Sequence, residues 1–347
     1  MGEAELLVDR TGPLAVLRLN RPKAINALSM TMLEGIETWL GRLAADNSVG
    51  AVLIRGEGER GFCACGDVRA LREHVLAGRA DAVRDYFKTE YRVDALVGAF
   101  PKPVIAIQHA VVMGGGIGLS AHARHRVCLE GARFAMPEPA IGFFADVGVN
   151  FALREAPIHR ALLFLMSGET SGAADAIALG LSDAMVSPAD LDKLQAELVA
   201  AAQAVRPDAA IRAAIGRYAA DPGPAEFVAG CDGLESAARS ANPASLMARV
   251  EAAGQAGDGF AAKLASAFRR GCPTSIAVNW ANHRSARRLG SLGDVLAQDL
   301  RFAIHMAGRA DFAEGVRAVL VDRQPRPKWS PDRLASVDLG ALSALAG

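Results

Sequence analysis

AFPKPVIAIQHAVVMGGGIGLSAHARHRVCLEGARFAMPEPAIGFFADVGVN, residues 99–150, sets an apolar strand run (Val104 to Ile107) ahead of three glycines, Gly114, Gly115 and Gly116. A helix-like run from Ile117 to His122 follows. A strand that turns through glycine into a helix presents backbone N–H groups at the positive end of that helix. Such a place holds an anionic oxygen, either a phosphate or the oxyanion formed when a carbonyl is attacked. The plainer alternative is a close helix–strand crossing. Two carboxylates follow in turn-rich sequence, Glu138 in Met136-Pro137-Glu138-Pro139 and Asp146 in Ala145-Asp146-Val147-Gly148. A carboxylate between prolines sits on a rigid turn, which suits a positioned base or nucleophile as well as a solvated turn acid. Asp146 also suits a helix N-cap ahead of Gly148. An oxyanion site with acids nearby is the equipment of acyl chemistry.

Outward from this stretch the pattern is α/β. Leu6 to Asp9 and Leu14 to Leu19 read as strands about a turn at Thr11-Gly12-Pro13. Ser29 is placed to cap a helix whose apolar positions are Leu33, Ile36, Leu40 and Leu43. Ala51 to Arg55 is a short buried strand, and the small-residue turn from Phe62 to Asp67 leads into a helix from Val68. Beyond Asn150, Leu153 to Ser167 and Ala173 to Leu181 read as helices, with a short strand near Asp183 to Val186. From about Pro188 the chain is alanine-rich and almost wholly helical, so a boundary is expected there, with 1–187 as the core and 188–347 as a helical region. Asp311, three residues before Glu314, resembles the start of a capping box.

The 347 residues are 51% hydrophobic, enough for a large core. Lys plus Arg and Asp plus Glu balance at 38 each, which argues against nucleic acid or an anionic membrane as partner. The acidic opening, Met1-Gly2-Glu3-Ala4-Glu5, lacks the order of a signal peptide. Leu6 falls where a myristoylation signal needs Ser or Thr. No run approaches a membrane span of roughly 18 apolar residues. A cytoplasmic location is therefore expected. The five cysteines, Cys63, Cys65, Cys128, Cys231 and Cys272, are scattered and odd in number, and suit reduced thiols better than disulfides or structural zinc. Cys63 and Cys65 read as small residues filling a tight turn, and His109 reads as a core or supporting histidine.

Phe62-x-Ala64-x-Gly66-Asp67 and Met113-Gly114-Gly115-Gly116 together resemble the two oxyanion-hole segments of the crotonase (enoyl-CoA hydratase/isomerase) superfamily. The opening Leu17-x-Leu19-Asn20-Arg21-Pro22-x-Ala24-x-Asn26-Ala27-Leu28 is similar to that superfamily too. Within it, three stretches resemble the 3-hydroxyisobutyryl-CoA hydrolases. They are Glu90-Tyr91, the run from Phe134 to Gly142 with Asp146-Val147-Gly148, and Asp311 to Leu320 with Pro327-Lys328-Trp329.

The resemblance implies a spiral of ββα units followed by a helical C-terminal region. It implies hydrolysis of a short β-hydroxyacyl-CoA thioester, 3-hydroxyisobutyryl-CoA of valine catabolism first among them. The N–H groups of Gly66 and Gly115 would receive the thioester oxygen, Glu138 would be the catalytic carboxylate, and Asp146 would contact the 3-hydroxyl or the attacking water. Glu90, Lys23, Ala24, Ala64 and Asp67 would contact the acyl or CoA moieties. No metal or cofactor is implied beyond the CoA of the substrate, and a homo-oligomer is expected. Enoyl-CoA hydratases carry a second glutamate just after their triple glycine, where this chain has Gly118. Hydratase or isomerase action on an unsaturated acyl-CoA is the alternative. The chain departs from the pattern at Cys65 and Ala110, where glycine is usual, at Ala145, where proline is expected, and at Val149-Asn150, which replace a glycine pair.

Overall fold

The structure, a computed structural model, describes residues 4–346 apart from Pro325. Met1, Gly2 and Glu3 of the acidic opening thus lie outside the described residues. The chain divides into two compact units, each of three segments: Met1–Gly66, Thr89–Phe134 and Ser171–Ala225 in the first, and Asp67–Lys88, Ala135–Thr170 and Glu226–Gly347 in the second.

The strands are β1 (Leu6–Thr11), β2 (Leu14–Leu19), β3 (Ala51–Gly56), β4 (Gly61–Cys63), β5 (Val104–Gln108), β6 (Val111–Met113), β7 (His125–Leu129), β8 (Arg133–Ala135), β9 (Ala184–Val186) and β10 (Ala219–Ala220), all of them in the first unit but for the last residue of β8. Seven of these form one sheet in the order β1-β2-β3-β5-β7-β9-β10, and β4-β6-β8 form a second. The run β2-β3-β5-β7-β9 is parallel, with antiparallel β1 and β10 at its edges. Parallel strands are covered on both faces, which is why β3 and β5 read as near-continuous apolar runs. One face of the large sheet presents Leu53, Ile105, Ile107 and Val127 to Leu194, Leu198, Ile211 and Ile215 of the helices Leu191–Ala202 and Pro207–Tyr218.

That packing moves the division of the chain away from Pro188. Composition changes there because the strands give way to helices, but the first two of those helices bury their apolar stripe on the sheet and belong to the first unit. Conversely, residues 135–170, which precede the composition change, belong to the second unit.

The second unit is helical. Its inner helix, Pro273–Ala286, is buried on nearly every side and carries Thr274, Ser275, Asn279, Asn282 and His283 inside. The helices Ile158–Ser167 and Leu292–Ala307 pack against it. Ser29 caps Met30–Ala45 as the sequence suggests, accepting the Met32 N–H. The capping box at Asp311 does not form. Arg309 occupies the cap, while Asp311 turns inward to accept the Ser330 N–H at 2.7 Å and Glu314 accepts the Lys328 N–H at 3.0 Å. Both acids tie down the segment ending in Trp329. Among the described residues, no helix is long and apolar enough to cross a membrane.

Candidate active site

The triple glycine does three different jobs. Gly114, at φ 50° and ψ −122°, takes a backbone conformation that only glycine adopts easily, and β6 turns there into the helix Gly115–Ala121. Gly116 lies so close to Cys63 that a Cβ would overlap its carbonyl oxygen, so the close helix–strand crossing is real at this position. Gly115 differs. A Cβ there would stand 3.2 Å from Gly66 N and 2.6 Å from Glu90 Oε1, so the absence of a side chain leaves the Gly66 amide and the Glu90 carboxylate beside its backbone. Three of the residues singled out in the sequence are thereby brought together. Glu90 is 3% exposed, a buried carboxylate rather than the surface acid its helix position allows.

The turn that carries Gly66 is held by the opening motif. Asn26, fully buried at φ 54°, accepts the Arg21 N–H through Oδ1 and donates through Nδ2 to the carbonyls of Glu57 and Gly61, at 2.9 to 3.0 Å. The Leu28 N–H donates to Cys65 O and the Ala64 N–H to Ile25 O, each at 3.0 Å, so the 64–66 turn is strapped to the 25–28 loop. Lys23 and Ala24 lie exposed on the one-turn helix Pro22–Ala24 next to this loop, and Ala64 is half-buried in the turn. Asp67 accepts the Ala70 N–H and caps the helix Val68–Leu76. Burial, with Glu90 and Asp94 adding repulsion, pushes the Cys63 thiol up to about 12, which removes it as a nucleophile. His109 engages Gly58 O through Nε2 at 2.9 Å, and burial lowers its pKa. It acts as a loop clamp.

In the second unit Glu138, 3% exposed, opens the turn Glu138–Ile141, which closes through Gly142 at φ 72°. This turn meets the helix Ala310–Val316 backbone to backbone. A Cβ on Gly142 would overlap the Asp311 carbonyl, and one on Gly315 would overlap that of Ile141. The Cys272 N–H donates to Pro139 O at 2.8 Å. Next in the chain, Phe143 stacks on Phe87 with ring centres 5.2 Å apart and lies 5.5 Å from Phe312.

Asp146, 5% exposed, follows on a turn with Val147 at φ 54° and Gly148 at φ 69°. Gly148 occupies the N-cap position of the helix Val149–Ala152, and the Asp146 carbonyl accepts the Val149 N–H at 3.0 Å. The departures at 145 and 150 belong together. The Ala145 N–H, which proline would lack, donates to Asn279 Oδ1 at 2.8 Å, and Asn150 Nδ2 donates back to Ala145 O at 3.2 Å. Asn279 also donates to Leu165 O, and Asp299 accepts the Gly148 N–H at 2.9 Å. No role for Asn26, Asn279 or Asp299 follows from the sequence, although Asn26 stands in the opening motif and Asn279 is one of several polar residues on the buried helix Pro273–Ala286.

Among the described residues, no group of three or more His, Cys, Asp or Glu side chains is placed to hold a metal ion. Gly118, where hydratases carry their second glutamate, is buried in the helix Gly115–Ala121.

The chain belongs to the enoyl-CoA hydratase/isomerase family, whose model matches residues 14–345. Its sequence is 33% identical to the mitochondrial 3-hydroxyisobutyryl-CoA hydrolase of Gallus gallus, over 96% of this chain and 86% of that one. It is 32% identical to 3-hydroxyisobutyryl-CoA hydrolase 1 of Arabidopsis thaliana, over 96% and 88%. Among solved structures, a carnitinyl-CoA dehydratase from Mycobacterium thermoresistibile superposes with a TM-score of 0.91 at 33% identity, covering 99% of this chain and 97% of that one. An enoyl-CoA hydratase from Rhodobacter sphaeroides 2.4.1 superposes at 0.88 and 30% identity, with the same coverage.

Proposed function

We propose that the protein hydrolyses a short 3-hydroxyacyl-CoA thioester, with 3-hydroxyisobutyryl-CoA the first substrate to test. In this reading the thioester oxygen lies between the N–H groups of Gly66 and Gly115. Each such donor is typically worth about 2.7–4 kcal/mol in the transition state. Glu138 supplies the carboxylate. As nucleophile it attacks the carbonyl carbon, the C–S bond breaks, CoA leaves as the thiolate and takes up a proton, and water then cleaves the mixed anhydride. As general base it instead takes the proton of the water that attacks. Asp146 contacts the 3-hydroxyl or that water. Glu90, beside Gly115, lines the acyl side, while Lys23, Ala24 and Ala64 serve the CoA side.

The observation that carries this reading is Gly118, buried where the second acid of a hydratase belongs. Adding water across a double bond uses an acid and a base, and glycine provides neither. The hydrolase names of the sequence relatives support the same choice. A second reading, hydration or isomerisation of an unsaturated acyl-CoA, draws on the names of the two structural relatives. Thiol release from 3-hydroxyisobutyryl-CoA, set beside hydration of crotonyl-CoA, separates the two.

A further inference from the structure

The turn that carries Asp146 adopts a conformation its own sequence does not favour. Val147 is β-branched and sits at φ 54°, a genuine outlier for such a residue. Strain of this kind persists only where the surroundings over-determine it, and an observed outlier beside a chemical group is a pointer to function.

The surroundings here are buried side chains from distant sequence. Asp299, with no exposed surface, accepts the Gly148 N–H through Oδ2 at 2.9 Å and the Asn282 Nδ2–H through Oδ1 at 2.8 Å. Asn282 Oδ1 in turn accepts from Gln298 Nε2 at 2.6 Å, and Gln298 Oε1 accepts the Ser285 hydroxyl at 2.9 Å. The donors thus run in one direction and end on Asp299. A side chain at 299 must therefore accept from two N–H groups with two separate oxygens, which a carboxylate does and an amide does not. That explains an acid in an apolar interior, where a charge is otherwise costly. Burial pushes the carboxyl up to about 7, opposed by the Asn282 and Gly148 hydrogen bonds and the Arg301 charge.

We propose that Asp299 is a positioning residue, which holds the Val147–Gly148 backbone and thereby the placement of the Asp146 carboxylate. The proposal rests on the role given to Asp146 above, so its test has one arm that depends on that role and one that does not. In the first arm, thiol release from 3-hydroxyisobutyryl-CoA is measured for wild type, D146N, D299N and the double variant. Loss of position of an ångström order costs up to about a hundredfold. D299N is therefore expected to lower kcat at least about tenfold in the wild-type background and to add little in the D146N background. A purely structural role lowers both backgrounds by the same factor, and that result overturns the proposal.

The second arm is amide hydrogen exchange over residues 145–150. The Gly148 amide is expected to be protected in wild type and to lose that protection in D299N. A wild-type Gly148 amide exchanging at the rate of an open loop overturns the proposal without recourse to any variant. If wild type releases no thiol, the hydrolase reading fails, and the exchange arm still decides whether Asp299 holds the turn.

Discussion

The Ala145 amide donates a hydrogen bond to Asn279 Oδ1 at 2.8 Å, joining residues 134 positions apart in the chain. Asn279 is 1% exposed, so its oxygen has no solvent to fall back on. Ala145→Pro, the change toward the family pattern, removes the donor. It is expected to destabilise the protein by about 1–3 kcal/mol, the cost of leaving a buried acceptor unmade. Urea unfolding of the variant checks this. An unchanged midpoint would show that the proline form is tolerated without the bond.

Gly115 tests the pairing of the two N–H groups. Ala at this position puts a methyl 2.6 Å from Glu90 Oε1 and 3.2 Å from Gly66 N. The expected outcome is a loss of kcat of about a hundredfold or more with the far-UV spectrum retained. Near-normal turnover would place the thioester oxygen elsewhere.

Gly315 supports Glu138 from a distant part of the sequence. A Cβ there would overlap the Ile141 carbonyl, so Gly315→Ala must displace either the Glu138 turn or the helix Ala310–Val316. Overpacking of this kind typically costs about 1–3 kcal/mol. Thermal unfolding should show the loss, accompanied by a fall in kcat larger than the fall in folded protein.

Stability should depend on pH with two opposing slopes. Burial, aided by Arg287 and Arg284, drives His283 down to about 3, so from there to its ordinary 6.5 the unfolded chain holds more protons. This group's contribution falls as pH drops through that window. Asp299 is raised from 3.8 to about 7, so across that window the folded chain holds more protons, and its contribution falls as pH rises. D299N cannot ionise. Its stability relative to wild type should therefore improve between pH 4 and 7, by about 4 kcal/mol at most, on top of any constant cost of the lost hydrogen bond. Urea midpoints across that range check the slope, and parallel curves for the two proteins would contradict it.

Much of the fold, and the turns that carry the candidate site residues, were legible in local sequence. The apolar runs at Ala51 and Val104, the Ser29 cap, the glycine turn at 114–116 and the turn of the proline-flanked Glu138 each appear where their local patterns placed them. The role of each glycine was not legible, because Gly115 and Gly116 differ only in what faces them, Glu90 and Gly66 for one and Cys63 for the other. The compact units do not follow the composition change at Pro188, for a related reason. Composition registers helices, whereas the units are decided by where Leu194, Leu198, Ile211 and Ile215 are buried. Asn279 and Asp299 stayed hidden in alanine-rich helical sequence, since their partners Ala145 and Gly148 lie 134 and 151 positions away.

Asp146 should govern recognition of the hydroxyl. If it contacts that group, D146N will narrow the preference for 3-hydroxypropionyl-CoA over isobutyryl-CoA by about tenfold, the scale of one hydrogen bond to a charged group. Steady-state kcat/KM for the two thioesters gives the answer. An equal loss on both assigns Asp146 to the attacking water instead.

Thiol release from 3-hydroxyisobutyryl-CoA by wild type and Glu138→Ala, with crotonyl-CoA alongside, tests most directly whether Glu138 cleaves a thioester in this protein. The expected result is fast thiol release by wild type, its loss in the variant, and no enzyme-like hydration of crotonyl-CoA. Rapid hydration of crotonyl-CoA without thiol release, or release that survives the loss of Glu138, would contradict it.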